Sequence, residues 1–146
     1  MQRTGSVLFA CTNNAVRSAM AEAILKHVHG RTIYVDSCGV RTAELDPFAV
    51  AVMDEIDIDL SCHRPKSFDD LHDTFVDVVI SLSPEAQHRA VEMTRSMSVE
   101  LEYWPTMDPT GVWGSREQKL EAYRAVRDHL MRLIEERFSP AEAAEA

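Results

Sequence analysis

A single-domain, three-layer α/β/α fold on a four-stranded parallel sheet is what this sequence predicts, on three observations. Strand-like and helix-like segments alternate along the whole chain, which implies βαβ units with helices on both faces of a mostly parallel sheet. Its 146 residues suffice for one domain with a substantial core. The balance of 45% hydrophobic to 27% charged residues is that of an ordinary globular chain, so nothing competes with that assignment. In order, the apolar run Val7-Leu8-Phe9-Ala10 predicts a strand near Ser6–Ala10 and is followed by a helix over Arg17–His29. A second strand is expected near Thr32–Ser37. The next helix, Pro47–Glu55, starts at Asp46-Pro47 with proline at its first position. The third pair is a strand near Val76–Leu82 and a helix over Pro84–Met97; the fourth is a strand near Val99–Trp104 and a helix over Ser115–Phe138. Leu120, Tyr123, Val126, Leu130, Leu133 and Ile134 recur at helical spacing and give the last helix a core-facing stripe. Glu117, Lys119, Arg124, Asp128, Arg132 and Glu135 form its solvated face. The domain is expected to span residues 1–138, with 139–146 a disordered, acidic, alanine-rich tail.

Composition narrows the function classes. No apolar run approaches a membrane span, and the N-terminal stretch lacks a secretory signal, so no membrane partner is expected. Three cysteines at irregular spacing fit neither a disulfide framework nor a zinc motif. A reducing, cytoplasmic setting follows as the expectation. Six scattered histidines show no metal-ligand spacing, so neither a metal nor another cofactor is expected. A net charge of −9 argues against nucleic acid and leaves an anionic substrate to be drawn by local fields alone. A monomer or weak homodimer is the expected state.

The most informative stretch is FACTNNAVRSAMAEAILK. Cys11 ends the first strand, a loop of small and polar residues follows, and Arg17 and Ser18 open the helix. That order gathers loop N–H groups and a helix N-terminus around one spot, where a tetrahedral oxyanion binds. The same field favours a thiolate over a thiol. Arg17 adds a planar fork suited to two oxygens of one anion. A lone cysteine at a strand end is more often a buried small hydrophobe than a nucleophile. Here the strand–loop–helix context and the arginine six positions on favour the nucleophile. Asn13 and Asn14 tolerate positive φ and can supply left-handed bends. Ser18 can either cap the helix or donate to the sulfur.

CTNNAVRS resembles the phosphate loop of the low-molecular-weight protein tyrosine phosphatase family, whose superfamily includes the thioredoxin-coupled arsenate reductases. Cys11, Asn14, Arg17 and Ser18 match the pattern Cys-x-Gly-Asn-x-Cys-Arg-Ser, while Asn13 replaces its glycine and Val16 its second cysteine. The likeness continues through Asp36-Ser37-Cys38-Gly39, Leu60-Ser61-Cys62-His63-Arg64-Pro65-Lys66, Val78-Val79-Ile80-Ser81-Leu82 and Trp104-Pro105-Thr106-Met107-Asp108-Pro109. It implies a phosphotyrosine protein phosphatase I-like fold. It also implies a loop in which Thr12, Asn13, Asn14, Ala15, Val16, Arg17 and Ser18 bind phosphate.

The same resemblance implies that Cys11 attacks a phosphate monoester, with protein phosphotyrosine as the substrate, through a phosphocysteine. Asp108 is the implied general acid and, after the first step, the base for water. Asp-Pro alone is a common turn initiator, and Asp46-Pro47 is the internal control for that plainer role. Ser37, Pro109 and Trp113 are supporting candidates: Ser37 to hold Asn14, Pro109 to fix the Asp108 backbone, and Trp113 to line the cleft with Trp104 and Tyr103. Cys38 and Cys62 are expected in packing roles, and His63 and Arg64 in support of loops. The chain lacks the tyrosines usual after Asp-Pro, having Thr110-Gly111-Val112-Trp113 instead. An arsenate reductase that uses Cys11 with an external small thiol is the alternative; Leu82–Met97 has no cysteine for an internal relay. A non-catalytic oxyanion-binding module is a third reading, against which Cys11, Arg17 and Asp108 together argue.

Overall fold

The computed structural model describes residues 4–71 and 76–138, so the expected tail at 139–146 lies outside the described residues. The elements follow as β1 (Ser6–Cys11), α1 (Arg17–His29), β2 (Tyr34–Gly39), α2 (Pro47–Asp54), β3 (Val78–Ser81), α3 (Pro84–Thr94), β4 (Glu100–Tyr103) and α4 (Arg116–Arg137). Short 3₁₀ turns lie at Phe68–Asp70 and Pro109–Gly111. All eight main elements occur where sequence reasoning puts them, with boundaries shifted by up to three residues.

The four strands form one parallel sheet in the order β2-β1-β3-β4. β1 is central and continuously apolar because both of its faces are covered. Val7, Phe9 and Cys11 face one cluster, shared with α1, α2 and α4. Leu8 and Ala10 face the other, with Cys38, Val79, Phe68 and the alanines of α3. This division follows from handedness. The β1→β2 and β3→β4 crossovers step in opposite directions, so right-handed connections put α1 and α3 on opposite faces. Between the diverging connections of β1 and β3 a crevice opens beyond the carboxyl ends of the strands, the usual ligand position in such sheets. Cys11 stands at its edge.

The α4 stripe is buried at Leu120, Tyr123, Val126, Leu130 and Ile134, with Leu133 only half-buried. Arg127 joins the buried side because its guanidinium donates to the Val52 carbonyl at 2.7 Å and to Glu55 at 2.8 Å. Helix starts reveal one contrast. Asp46 caps α2, Ser83 caps α3 and a Ser115–Gln118 capping box closes α4. α1 has no side-chain cap, Val16 at its N-cap position, and no acidic residue in its first turn. Its first N–H groups and positive dipole end are left for another acceptor. No described helix is long and apolar enough to cross a membrane.

Gly39 ends β2 beside the Cys11 loop, bonded through its N–H to the Lys66 carbonyl at 2.8 Å. A Cβ there would meet the Arg41 carbonyl oxygen at 2.5 Å, and both Asn13 C and Asn14 N at 2.8 Å. All three are backbone atoms and cannot swing aside. Gly39→Ala is expected to lower unfolding free energy by about 1–3 kcal/mol, the range for overpacking, in urea titrations. An unchanged midpoint would show that the loop yields without cost.

Candidate active site

The loop between β1 and α1 is held from outside so that its carbonyls point away from its centre. The strand exit after β2 donates three backbone bonds to it: Val40 N–H to Cys11 O and Arg41 N–H to Thr12 O, both at 3.0 Å, and Asp46 N–H to Ala15 O at 3.3 Å. With these carbonyls occupied, N–H groups turn inward. The Asn14 and Ser18 N–H groups donate to Cys11 Sγ at 3.3 and 3.4 Å. Ser18 Oγ lies 2.9 Å from the same sulfur. Of its two open roles, Ser18 takes the one toward the sulfur and leaves the helix uncapped. Donors converging on a buried sulfur suit an anionic acceptor.

Asn14 is what fixes the loop's curvature. Its φ is +55°, the left-handed region that asparagine tolerates, and its whole side-chain amide is bonded. Nδ2 donates to Ser18 Oγ at 2.8 Å and to Ser37 Oγ at 2.9 Å; Oδ1 accepts from Lys66 N at 2.9 Å. His63 Nε2 reaches both Asn14 O at 3.0 Å and its Oδ1 at 3.2 Å. Asn13, expected to share this left-handed role, does not have a positive φ; one such residue completes the turn.

Behind Asn14 the network closes on a residue the sequence reading passed over. Ser37 Oγ donates to the carboxylate of Glu22, which is buried on α1. Glu22 also pairs with Lys26 Nζ at 2.5 Å and lies 3.8 Å from His63 Nδ1. The available signal was position: Glu22 follows Ser18 by four residues and so shares its helix face. Burial pushes the His63 imidazole below its ordinary 6.5, against an opposing pull from Glu22.

Arg17 is buried yet ordered by neutral acceptors. One guanidinium nitrogen donates to the Thr106 carbonyl at 3.0 Å and the other to Thr12 Oγ1 at 3.3 Å. Thr12 in turn donates to Ser83 Oγ at 3.1 Å, so its hydroxyl serves the arginine. Asp108 caps the 3₁₀ turn with Oδ1, accepting from Thr110 N at 3.0 Å and Thr110 Oγ1 at 2.7 Å. Its Oδ2 faces Arg17 at 4.0 Å and the side chain is half exposed. Pro109 is buried as the first residue of that turn.

These residues line a cleft of about 440 Å³, where Cys11, Asn13, Ala15, Val16, Arg17 and Asp108 come together. Trp113 does not join them: it is 94% exposed, because residues 112–114 run outward toward the α4 cap. Trp104 packs on Phe9 with ring centroids 6.0 Å apart, and Tyr103 also lies outside the cleft. Cys38 packs as expected, on the opposite sheet face from Cys11, and burial pushes its thiol far up. Cys62 differs from expectation, for it is exposed. Asp46, expected only to start a helix, and Tyr123, expected only in the core stripe, both line the cleft, as does Phe48, which the sequence did not single out.

Fold and site together define an α/β protein whose strand–loop–helix junction turns backbone N–H groups toward a buried thiol. A family model described as low molecular weight phosphotyrosine protein phosphatase matches residues 6–139, and the chain belongs to that family. The glutaredoxin arsenate reductase of Synechocystis sp. is 33% identical over 130 residues, covering 88% of this chain and 92% of that one. The solved structure of an arsenate reductase in the phosphate binding state superposes with a TM-score of 0.71 at 30% identity, covering 97% and 98% of the two chains. The YwlE arginine phosphatase from Geobacillus stearothermophilus superposes with a TM-score of 0.78 at 25% identity, covering 97% of each.

The His63 shift predicts a pH effect on stability. An unfolded histidine titrates near 6.5, the folded one lower, so below 6.5 the unfolded chain binds more protons. This stability is complete above pH 6.5 and is lost as the pH falls through the folded value. Urea midpoints should therefore drop from pH 8 to pH 5 more steeply in the parent than in His63→Gln. Equal slopes would assign the effect to other groups.

Proposed function

We propose that this protein is a cysteine-dependent hydrolase of phosphate monoesters, with a phosphorylated protein side chain as the natural class of substrate. The observation that carries this reading is the placement of thiols and acid around the cleft. Cys38 projects from the other face of the sheet, buried among Leu8, Ala10 and Val79. Cys62 is exposed in the segment behind the loop, beside His63. Neither can take an adduct from Cys11 without remodelling the sheet or the Asn14 network. Asp108, by contrast, lines the cleft and needs only water to complete a cycle.

In the first step Cys11 Sγ forms a bond to phosphorus as the ester oxygen leaves. Protonated Asp108 gives that oxygen its proton. The inward N–H groups and Arg17 hold the three equatorial oxygens, whose charge grows in the transition state. In the second step the Asp108 carboxylate takes a proton from water, which attacks phosphorus and expels the thiolate. Phosphate leaves and both groups are restored. Asn14, Ser18 and Ser37 act through the loop and the sulfur.

Arsenate as the oxyanion is the second reading, favoured by the name arsenate reductase on the Synechocystis relative. Cys11 would attack arsenic as one arsenate oxygen leaves as water, and one external thiol would then displace the arsenic from Cys11 onto itself. A second external thiol would then reduce As(V) to As(III), leaving a disulfide between the two.

Under reducing conditions p-nitrophenyl phosphate should be turned over, with no turnover by Cys11→Ser. Asp108→Asn should lower kcat by about 10²–10⁴-fold and leave KM nearly unchanged, the pattern of a lost proton transfer. A parent protein that is inactive here, yet forms arsenite with glutathione, would replace the first reading with the second.

A further inference from the structure

A second, smaller cleft of about 230 Å³ lies between the segment that leads into Asp108 and α4. Pro105, Thr106 and Met107 form one wall; Ala125, Val126 and His129 form the other. Ala125 and Val126 precede His129 by four and three residues, so the three share one helix face. None of these residues lines the cleft beside Cys11. Met107 is 55% exposed, so a ligand can enter past a side chain that adapts its shape.

His129 gives this apolar cleft a polar requirement. The Arg132 guanidinium donates to His129 Nδ1 at 3.3 Å. A guanidinium can only donate, so Nδ1 is the acceptor nitrogen and Nε2 carries the proton. Among the described residues, Nε2 is the one buried side-chain nitrogen or oxygen without a hydrogen-bond partner. A buried donor left without an acceptor is destabilising and rare in folded proteins. Thr106 has the one hydroxyl among the lining side chains, and it already donates to the Trp104 carbonyl at 2.9 Å. One free donor between apolar walls complements a small uncharged molecule with one acceptor. An apolar cavity of about 150 Å³ already takes a benzene ring, so this cleft has room for a ring and a carbonyl.

Thr106 joins the two clefts. Its N–H donates to the Leu82 carbonyl at 3.0 Å, and its own carbonyl accepts from Arg17 at 3.0 Å. We propose that the cleft at His129 binds a small uncharged aromatic ketone or amide through the Nε2–H. Its occupancy strengthens oxyanion binding by holding Thr106, and with it Arg17, in place. The ligand site does not depend on the hydrolase reading. The coupling needs only that Arg17 touches the anion.

Acetophenone and ethylbenzene are the probes, close in shape and differing in the carbonyl. NMR titrations of the Cys11→Ser protein measure both affinities, and acetophenone should shift the His129 Nε2 resonance. The two probes differ in hydration, so the readout is the ratio of their affinities across variants. In His129→Leu the acetophenone-to-ethylbenzene ratio should fall about tenfold, the effect of one satisfied buried donor. That variant removes an orphan donor and should keep or raise the urea midpoint, which shows an intact fold. Ala125→Trp, at an exposed helix position, should fill the cleft and abolish binding of both probes. No acetophenone binding, an unmoved resonance, a ratio unchanged in His129→Leu or binding that survives Ala125→Trp each overturns the site. Saturating acetophenone should tighten inorganic phosphate about fivefold by calorimetry, with no effect in Ala125→Trp. Unchanged phosphate affinity overturns the coupling and leaves the ligand site standing. A protein that binds acetophenone but no phosphate overturns the coupling and the hydrolase reading together.

Discussion

The left-handed turn at Asn14 is the constraint on which the rest of the site depends. A loop that wraps an anion must reverse the sense of its backbone, and every L-residue except glycine resists that reversal. Asn14 adopts φ +55° because its side chain is bonded on every side, to Ser18, Ser37, Lys66 and His63. Those partners come from α1, β2 and the segment after α2, so the turn is held by the tertiary structure. The Asn14 N–H then donates to the Cys11 sulfur, and Ser18 follows from the opposite side. Strain at one residue is offset by four neighbours, and the result is a preformed cradle.

Much of this was legible in the sequence because the fold is written in local pattern. Alternating segments, Asp46-Pro47 as a helix start and the α4 stripe each need only neighbours a few positions away. The Cys11–Arg17 stretch was legible for the same reason: strand, loop and helix are consecutive, and their junction is the site. Asp108 could be placed because it follows a strand in a parallel sheet, and parallel strands present their carboxyl ends on one edge.

What stayed hidden depends on contacts between distant residues. Glu22 reads as one more charge on a helix until Ser37 and His63 are seen to bury it. Tyr123 reads as one position in a core stripe, and its hydroxyl matters only because Asp46, 77 residues away, lies within reach. Asn13 and Asn14 have the same propensity for positive φ, and nothing local separates them. Partners for the side chain decide it, and only Asn14 has them. Trp113 misled in the opposite way: its size suggested a cleft wall, but the chain at that point turns outward to begin α4.

The site also explains why a phosphate loop alone leaves its substrate open. Converging N–H groups and a guanidinium can recognise a tetrahedral oxyanion only by charge and shape, and phosphate and arsenate share both. The names of this chain's relatives span both oxyanions. Discrimination must come from what happens to the thiolate adduct and from what the rest of the substrate touches. In this chain the first is set by topology: Cys38 is one position before Gly39 in β2, and the pleat sends it to the face opposite Cys11. A thiol so placed cannot resolve an adduct on the other side of its own sheet. Around the loop, Asp46 ties the Ala15 carbonyl to α2 and α4. The far side of the cleft is therefore held by the same contacts that hold the loop, and neither can rearrange without the other.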